Sequence, residues 1–431
     1  MSVTAHDQGW ELRGDPDRVI ARLFLPGESV APRRARAEII AARVTALPEQ
    51  TATETTRDLL ERFAGRHHDV EGIFAAHADT VLERIGDQIP DESPHRLLLG
   101  ASFTLEYAVE GAALCNPSAV IHPDQTGLTP GRVRIALALR QIGEGHVSSI
   151  GFAAAVVGPG QHWEPEERDY PLRLPAVSPS EGSWTSYDTV FPDDSTLTQR
   201  TLLPVLEEER NGLEDARMVL FTDGGITEYR ATYTAFDGRT VLPRLLVSAD
   251  LSSFTSHGMT GPAASNKGMA LFPRPIKGEL FALVRTDGET ISVAQSPDGR
   301  AWGRERPIRP PALPWEVVQS GNCGPPIELP EGWLVITHGV GPMRAYALGA
   351  ILLDLDDPTQ VRGVLSEPLL HSTGWLQPGY VPNVVYSCGG LVHDGILWIP
   401  YGVGDDRVRV ASVVVTELLA AMQDTTLDTD S

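Results

Sequence analysis

The sequence predicts an all-β fold, a five-bladed β-propeller with an N-terminal helical extension. The prediction rests on a repeat in which a turn glycine precedes a short apolar run with the character of a strand. The run occurs five times, after Gly131, Gly225, Gly278, Gly332 and Gly395. By subtraction of their numbers, the last four glycines are 53, 54 and 63 residues apart. Periods of about 50 residues with short strands are typical of propeller blades.

The sequence predicts that residues 1–95 form the mainly helical extension. After a short strand over residues 19–25, the apolar residues change to a spacing of three and four, as at Leu59, Leu60 and Phe63. This spacing places them on one face of an amphipathic helix. We therefore expect two or three helices between residues 33 and 85, packed on the outside of the main domain.

The sequence predicts that residues 96–421 form the propeller. Residues 422–431 are polar and acidic and are expected to form a disordered tail. Turn sequences such as TDGG, SPDGR and HDG interrupt the apolar runs throughout the propeller region. A second repeat supports the same architecture, because Ser248-Ala-Asp250 and Ser296-Pro-Asp298 are each followed by an aromatic residue four positions after the aspartate. These two segments fit equivalent corners of neighbouring blades.

The composition excludes several functional classes. The net charge of -22 argues against binding to nucleic acid, which requires a basic surface. The three cysteines, Cys115, Cys323 and Cys388, are too few and too widely spaced for a disulfide framework or a metal site. No apolar run approaches the length of a membrane span. We expect a cytoplasmic protein that binds neither nucleic acid, nor membrane, nor metal.

Each of the five repeated strands ends on a polar residue. These residues are Arg140, Tyr233, Arg285, His338 and Tyr401. Since the inner strands of a propeller line a central channel, their ends converge on one region. The sequence therefore predicts a site where the blades meet.

Three segments outside the repeat also carry reactive side chains. They are Asn116-Pro117-Ser118, Glu214-Asp215-Ala216-Arg217 and Tyr380-Val381-Pro382-Asn383. In an extended chain the carboxylates of Glu214 and Asp215 point to opposite faces, so that one can enter a pocket while the other braces the structure. Arg217 shares a face with Asp215 and is placed to tune its pKa. Taken singly, these segments also fit ordinary turns or a solvated charge cluster.

Three basic residues fall in the third and fourth repeats, namely Lys267, Arg285 and His338. If these side chains reach one mouth of the channel, they form a cage suited to phosphate or to a carboxylate. Each also has a purely structural interpretation, since Arg285 can pair with Asp287 and His338 can be a buried core histidine. Their joint occurrence at periodic positions favours the anion site.

The motifs follow one another in an order that is more specific than any one of them. They are NPS at 116–118, GLEDAR at 212–217, YTAFDG at 233–238, NKGMALFP at 266–273, GWLVITHGV at 332–340, LGAILLDLDDP at 348–358, VPNVV at 381–385 and YGVGDD at 401–406. Over about residues 101–419 this set resembles glycoside hydrolase family 130, the β-mannoside phosphorylases and related β-mannosidases. The resemblance implies a five-bladed β-propeller that cleaves β-mannosides.

The resemblance also implies roles for individual residues. Asp215 matches the general acid of the family, which acts through a hydroxyl of the bound mannose, while phosphate attacks the anomeric carbon with inversion and releases mannose 1-phosphate. Lys267, Arg285 and His338 would bind phosphate. The residues implied to surround the mannoside are Asn116, Arg140, Arg217, Tyr233, Asp237, Asn383 and Asp405. Phosphate would be a co-substrate, and no cofactor is expected.

The chain departs from the family pattern at several places. Ala216 replaces the usual proline, a usual lysine is absent before Pro325-Pro326, and residues 143–146 look like an insertion. Hydrolytic members lack the basic phosphate residues and use glutamates, and Glu144 and Glu209 are the candidates for such a base here. An inverting β-mannosidase and a non-catalytic carbohydrate-binding propeller therefore remain alternatives. We also expect that the N-terminal helices mediate formation of a homo-oligomer.

Overall fold

The computed structural model describes residues 3–25, 34–372 and 379–424. The chain forms two compact units. The helical unit comprises residues 15–111 and 170–173, and the β unit comprises the described parts of residues 1–14, 112–169 and 174–431. The helical unit therefore extends to residue 111, and the described residues 3–14 belong to the β unit.

The helices are α1 (Arg34–Thr45), α2 (Glu49–Phe63), α3 (Val70–Ile85), α4 (Pro94–Ser102) and α5 (Val415–Ala421). The strands are β1 (His6–Arg13), β2 (Val19–Leu23), β3 (Thr104–Ala108), β4 (Ala113–Ile121), β5 (Val133–Ile142), β6 (Ser148–Gly158), β7 (His162–Pro165), β8 (Ala176–Ser180), β9 (Ser183–Val190), β10 (Thr201–Leu202), β11 (Gly212–Asp223), β12 (Ile226–Phe236), β13 (Val241–Ser248), β14 (Ser253–Gly258), β15 (Ala270–Leu271), β16 (Leu280–Val284), β17 (Ile291–Ser296), β18 (Arg306–Arg309), β19 (Gln319–Asn322), β20 (Ile327–Leu329), β21 (Gly332–Val340), β22 (Tyr346–Leu353), β23 (Val361–Val364), β24 (Leu370–His371), β25 (Val385–Tyr386), β26 (Leu391–His393), β27 (Ile396–Val403), β28 (Arg407–Val414) and β29 (Gln423–Asp424).

The helical unit contains helices α1 to α4 and the antiparallel pair of β2 and β3. Helix α3 begins where the Asp69 side chain accepts a hydrogen bond from the backbone of Gly72, and it ends at Gly86, whose φ of 69° is left-handed. Helix α4 begins after Ser93, whose side chain accepts from the backbone of His95. The sequence predicted two or three helices, and the fourth is the short, capped helix α4.

The β unit consists of five groups of mainly antiparallel strands. In order across each sheet, the groups are β4-β5-β6 with β7 and β10, β11-β12-β13-β14-β9-β8, β15-β16-β17-β18, β19-β21-β22-β23-β29 with β20 and β24, and β25-β27-β28-β1 with β26. The first two groups join into one sheet through a single parallel pairing of Gly212 with Ser148. The first strand of the chain thus completes the group formed by the last long strands.

The five glycine repeats become strands β5, β12, β16, β21 and β27, one in each group. Each is flanked on both sides by strands of its own group, which is why each reads as an almost continuous apolar run. Their side chains pack in apolar clusters with those of neighbouring strands, and in one such cluster Phe152 of β6 and Phe254 of β14 stack with ring centroids 6.0 Å apart. The fold is therefore mostly β, as predicted.

The first residues of the predicted disordered tail are ordered in the structure. Gln423 and Asp424 form β29, which pairs with Val364 and Gly363 of β23. The rest of the predicted tail, residues 425–431, lies outside the described residues. Among the described helices, none combines the length and the apolar character that crossing a membrane requires.

Candidate active site

A cavity of about 360 Å³ opens in the β unit, and all five strand groups contribute to its wall. It is lined by Asn116, Asp215, Lys267, Arg285, Gln319, His338, Arg344, Tyr346, Val381, Pro382, Val384, Tyr386 and Asp405. Six of the predicted site residues are among them, namely Asn116, Asp215, Lys267, Arg285, His338 and Asp405. The fold therefore brings together polar residues that are distant in the sequence, and of the five predicted strand-end residues Arg285 and His338 line the cavity.

Asn116 and Asp215 reach the cavity because the strands that carry them are bulged. Both have left-handed backbone conformations, with φ of 48° and 55°. The register of β4 against β5 shifts at Asn116, and that of β11 against β12 shifts at Asp215. A bulge turns a side chain out of the alternation of its strand. The Asn116 side-chain amide then donates to Asp215 Oδ1 at 2.7 Å.

Asp215 is a buried carboxylate held between two guanidinium groups. Arg140 Nη1 lies 3.4 Å from its Oδ1, and Arg217 Nη2 lies 3.6 Å from its Oδ2. Burial by itself raises the pKa of this carboxyl, but the charges of Arg140 and Arg217, the Asn116 amide and Lys267 together outweigh it. The pKa of Asp215 therefore lies below its ordinary value, and its carboxyl group is an anion at neutral pH.

Asp405 is the second carboxyl group of the cavity and has the opposite electrostatic environment. Burial, and then the negative charge of Asp215, raise the pKa of Asp405 to about 6, although Arg140 partly opposes them. Its φ of 48° is left-handed, in the short turn between β27 and β28. At neutral pH the two carboxyl groups thus bind protons with different strength in one cavity.

Glu214 braces the site from outside the cavity lining. Its carboxylate accepts from Arg140 Nη2 at 2.6 Å and from Lys267 Nζ at 2.5 Å. It therefore holds two basic groups that approach Asp215 from different elements, Arg140 from β5 and Lys267 from the loop before β15. The two adjacent carboxylates of the GLEDAR segment both contact the Arg140 guanidinium, so they do not point to opposite faces as expected for an extended pair, because the left-handed backbone of Asp215 interrupts the alternation.

The basic part of the wall is built around Arg285. Its Nη1 lies 2.8 Å from Nε2 of His338. Burial and the neighbouring Arg285 and Arg217 charges hold the pKa of His338 well below its ordinary range, so the ring is neutral and Nε2 accepts from Arg285. The buried Arg285 Nε has no hydrogen-bond partner among the described residues. The wall thus presents a guanidinium with an unused donor, which suits an anionic ligand.

Three residues of the predicted substrate-binding set, Tyr233, Asp237 and Asn383, do not line the cavity. Tyr233 is buried, and its hydroxyl donates to Glu209. Asp237 closes a turn by accepting from the backbone of Arg239 and Thr240, at 2.8 and 2.6 Å. Asn383 has a left-handed backbone, and its carbonyl accepts from the backbone of Tyr346.

Arg140 and Arg217 contact the site without lining the cavity. Arg217 donates to the carbonyls of Cys323 and Asp215, each at 2.9 Å, and to the Tyr386 hydroxyl at 3.0 Å. It is almost completely buried, so it positions Asp215 rather than substrate. Tyr401, predicted at the end of the fifth run, lies within β27 and donates instead to Asp7 at 3.1 Å.

Sequence reasoning missed four polar or aromatic residues of the cavity, namely Gln319, Arg344, Tyr346 and Tyr386. Gln319 was noted only as part of a departure from the family pattern. Arg344 and Tyr346 follow β21 in the turn after His338, where no repeat pointed to them. Among the described residues, no group of three or more His, Cys, Asp or Glu side chains is arranged to hold a metal ion.

Comparison with known proteins places this site in a family context. The profile of a family described as beta-1,4-mannooligosaccharide phosphorylase matches residues 193–424, more than half of the chain. A 1,2-beta-oligomannan phosphorylase of Thermoanaerobacter sp. (strain X514) is 36% identical over 217 residues, covering 49% of this chain and 71% of that protein. A beta-1,2-mannobiose phosphorylase of Listeria innocua is 31% identical over 238 residues, covering 53% of this chain and 65% of that protein.

Solved structures share the fold. The Listeria innocua beta-1,2-mannobiose phosphorylase, in complex with beta-1,2-mannobiose, superposes with a TM-score of 0.52 at 21% identity, covering 73% of this chain and 93% of that chain. A second structure, of glycoside hydrolases within the GH130 family of mannoside phosphorylases, superposes with a TM-score of 0.51 at 21% identity. The superposition covers 71% of this chain and 86% of the other. The profile match and the relatives together show that the chain belongs to glycoside hydrolase family 130, a family of mannoside phosphorylases, and is an enzyme.

Proposed function

We propose that the chain is an inverting β-mannoside phosphorylase, which cleaves β-mannosidic bonds of mannooligosaccharides with inorganic phosphate and releases mannose 1-phosphate. One observation carries the proposal. The same cavity contains the buried carboxyl group of Asp215 and a basic wall in which Arg285 keeps an unused donor. A phosphorylase needs these two features, an acid for the leaving group and donors for the attacking anion.

The reaction follows from this arrangement. An oxygen of phosphate attacks the anomeric carbon, the bond to the leaving oxygen breaks, and that oxygen takes a proton that originates from Asp215. Ordinary inverting hydrolysis needs a second carboxylate to activate water, whereas phosphate is already an anionic nucleophile. Bound phosphate would also offset the Lys267 charge that helps to lower the pKa of Asp215, and so favours the protonated form.

The hydrolytic alternative lacks support from the two glutamates considered for it. Glu209 is fully buried, and its carboxylate accepts from the backbone of Val205 and Leu206 and from the Tyr187 hydroxyl. Glu144 is exposed in the turn after β5 and does not line the cavity. Asp405 is the other carboxyl group of the described lining, and it lies close enough for the charge of Asp215 to raise its pKa. Neither glutamate is therefore placed to act as the base.

Several finer expectations accompany this proposal. The five strand groups support a five-bladed propeller, with β1 completing the group that contains β27 and β28. Phosphate serves as co-substrate, and we expect no cofactor. Three relatives are named for β-1,2-linked and two for β-1,4-linked substrates, which makes β-1,2-mannobiose the first substrate to test. Cytoplasmic location and homo-oligomer formation stay predictions.

The decisive experiment measures mannose 1-phosphate and free mannose from β-1,2- and β-1,4-mannobiose, with and without inorganic phosphate. We expect mannose 1-phosphate only when phosphate is present. Arg285→Ala should raise the KM for phosphate by about 10-fold or more, because it removes charge-assisted hydrogen bonds to the anion. Free mannose formed at the same rate without phosphate would overturn the proposal and establish hydrolysis.

A further inference from the structure

Two aromatic side chains stack outside the cavity lining, where neither is used by the mechanism above. The rings of His146 and Tyr380 have centroids 5.7 Å apart and planes inclined by 28°. Tyr380 is 58% exposed, and His146 is also exposed. A phenol ring held at this exposure combines an apolar face with a hydrogen-bonding hydroxyl, the chemistry that suits an amphipathic ligand such as a sugar ring.

The backbone holds Tyr380 beside the acidic part of the cavity. The neighbouring Val381 lines the cavity and donates its backbone N–H to the carbonyl of Gly404 at 2.8 Å. On the other side, Gly379 packs so closely on Gly404 that an added Cβ would lie 2.6 Å from the Gly404 Cα. Gly404 immediately precedes Asp405. The ring therefore projects from a segment fixed on both sides against the turn that carries Asp405.

His146 reaches the same region from the turn after β5. It closes the short 3-10 helix Glu144–His146 with a left-handed φ of 59°. Two residues later, the Ser148 hydroxyl accepts from Arg140 Nε at 2.9 Å, and Nη1 of the same guanidinium approaches Asp215. The stack therefore connects to the turn that carries Asp405 through the residues on either side of Tyr380. It connects to Asp215 through the chain from His146 to Ser148 and through Arg140.

In an inverting displacement, the leaving sugar departs on the face opposite the attacking phosphate. Its oxygen receives the proton that originates from Asp215, so it lies on the side of Asp215 rather than that of Arg285 and His338. We propose that the His146–Tyr380 stack is the subsite for the leaving sugar, with the free face of Tyr380 against the C–H face of its ring. This inference rests on the proposed function and assigns the segment at residues 143–146 a role in substrate recognition.

The test uses the synthetic direction, in which mannose 1-phosphate and an acceptor sugar are separate substrates. Tyr380→Ala should raise the KM for the acceptor mannose about 5- to 10-fold, the scale of one lost stacking contact, and leave the KM for mannose 1-phosphate unchanged within twofold. Tyr380→Phe keeps the ring and should match the wild type. Trp184→Ala is the control, because Trp184 is similarly exposed, at 54%, and does not line the cavity.

Calorimetric titration with mannose and with β-1,2-mannobiose supplies a measurement that needs no turnover. The preference for the disaccharide should fall in Tyr380→Ala and persist in Tyr380→Phe. An unchanged acceptor KM together with an unchanged disaccharide preference would overturn the subsite, as would an equal rise in the KM of both substrates. Absence of phosphate-dependent cleavage by the wild type would refute the proposed function alone, and titration would still decide the subsite.

Discussion

Asp215 and Asp405 show how one residue type acquires two different proton affinities within a single cavity. The pKa of Asp215 is lowered, because Arg140, Arg217 and the Asn116 amide overcome its burial. The pKa of Asp405 is raised to about 6, because burial and the charge of Asp215 act in the same direction. Groups whose environments separate their pKa values in this way are candidates for distinct chemical roles. The acid assignment for Asp215 therefore depends on phosphate weakening its positive surroundings.

The first prediction concerns Asp215 itself. Asp215→Asn keeps the size of the side chain and should reduce kcat by about 10²- to 10⁴-fold, the range for loss of a general acid. Affinity for β-mannobiose, measured by calorimetry, should change much less. The Tm should fall, because the lowered pKa of Asp215 means that its carboxylate stabilises the folded chain at neutral pH. A non-catalytic carbohydrate-binding protein would show no turnover in either form. Wild-type kcat in the variant would contradict the assignment.

The second prediction concerns the stability contribution of Asp405. Because its folded pKa is raised above that of an unfolded aspartate, the folded chain binds the proton more tightly between about pH 4 and pH 6. Ionisation of Asp405 therefore lowers the free energy of unfolding as the pH rises through this window. Asp405→Asn removes that penalty and should stabilise the protein relative to the wild type by about 1–3 kcal/mol at pH 7.5.

Denaturant unfolding at pH 4.0 and pH 7.5 would test this prediction. The advantage of Asp405→Asn should be smaller at pH 4.0, where the wild-type carboxyl is protonated. Asparagine also accepts the left-handed backbone that Asp405 adopts, with φ of 48°. The same difference at both pH values would show that the effect comes from packing and not from ionisation.

At the scale of structural elements, one loop construction occurs twice and explains why Glu209 is unavailable for catalysis. The 3-10 helix Glu207–Glu209 precedes β11, and the 3-10 helix Pro314–Glu316 precedes β19. In each, the last glutamate is fully buried and accepts two backbone N–H groups from the preceding loop. A buried arginine from an adjoining strand approaches each carboxylate, Arg244 in one case and Arg309 in the other. These glutamates fix the entry of a strand into the sheet.

The close packing of β19 on β21 gives a third prediction. A Cβ added at Gly321 would lie 2.5 Å from His338 Cε1 and 2.7 Å from Arg285 Nη1. Gly321→Ala should therefore displace the Arg285–His338 pair and raise the KM for phosphate about 10-fold, with little change in the KM for mannobiose. Gly303→Ala is the matched control, since its nearest contact would be an ordinary 3.4 Å. Equal phosphate KM values for the two variants would contradict the role of the pair.

The sequence predicted the strands that carry the site better than it predicted which side chains enter the cavity. The glycine repeats located β5, β12, β16, β21 and β27 because apolar runs and turns are local signals. The side chains of Asn116 and Asp215 enter the cavity because their strands are bulged. Bulges arise from pairing with other strands, so they leave no periodic pattern in the sequence. The same limit applies to Tyr233, whose hydroxyl donates to Glu209 in the core and which does not line the cavity. The chemical roles predicted for individual residues came from the family resemblance, because the periodicity of the strands does not indicate chemical function.

At the scale of the whole molecule, the β unit depends on its first strand. β1 pairs with β28 along His6–Arg13, so the start of the chain completes the group formed by β25, β27 and β28. Glu11 accepts from Arg409 Nη2 at 2.9 Å, and Asp7 accepts from the Tyr401 hydroxyl at 3.1 Å. The helical unit follows β1 in the chain and precedes β4. A deletion meant to probe the helices must therefore keep residues 6–13.

Deletion of residues 2–13 gives the last prediction. It would expose the edge of β28 and remove the Glu11 carboxylate from Arg407, whose Nε lies 3.1 Å away and whose side chain is largely buried. An uncovered, apolar strand edge invites pairing with other chains. We expect the Tm to fall by at least about 5–10 °C, since several kcal/mol are lost from a chain of this size, and light scattering to show self-association. Deletion of residues 425–431 is the control and should leave both measurements unchanged. An unaltered Tm after removal of β1 would mean that closure by the first strand adds nothing to the stability of the β unit.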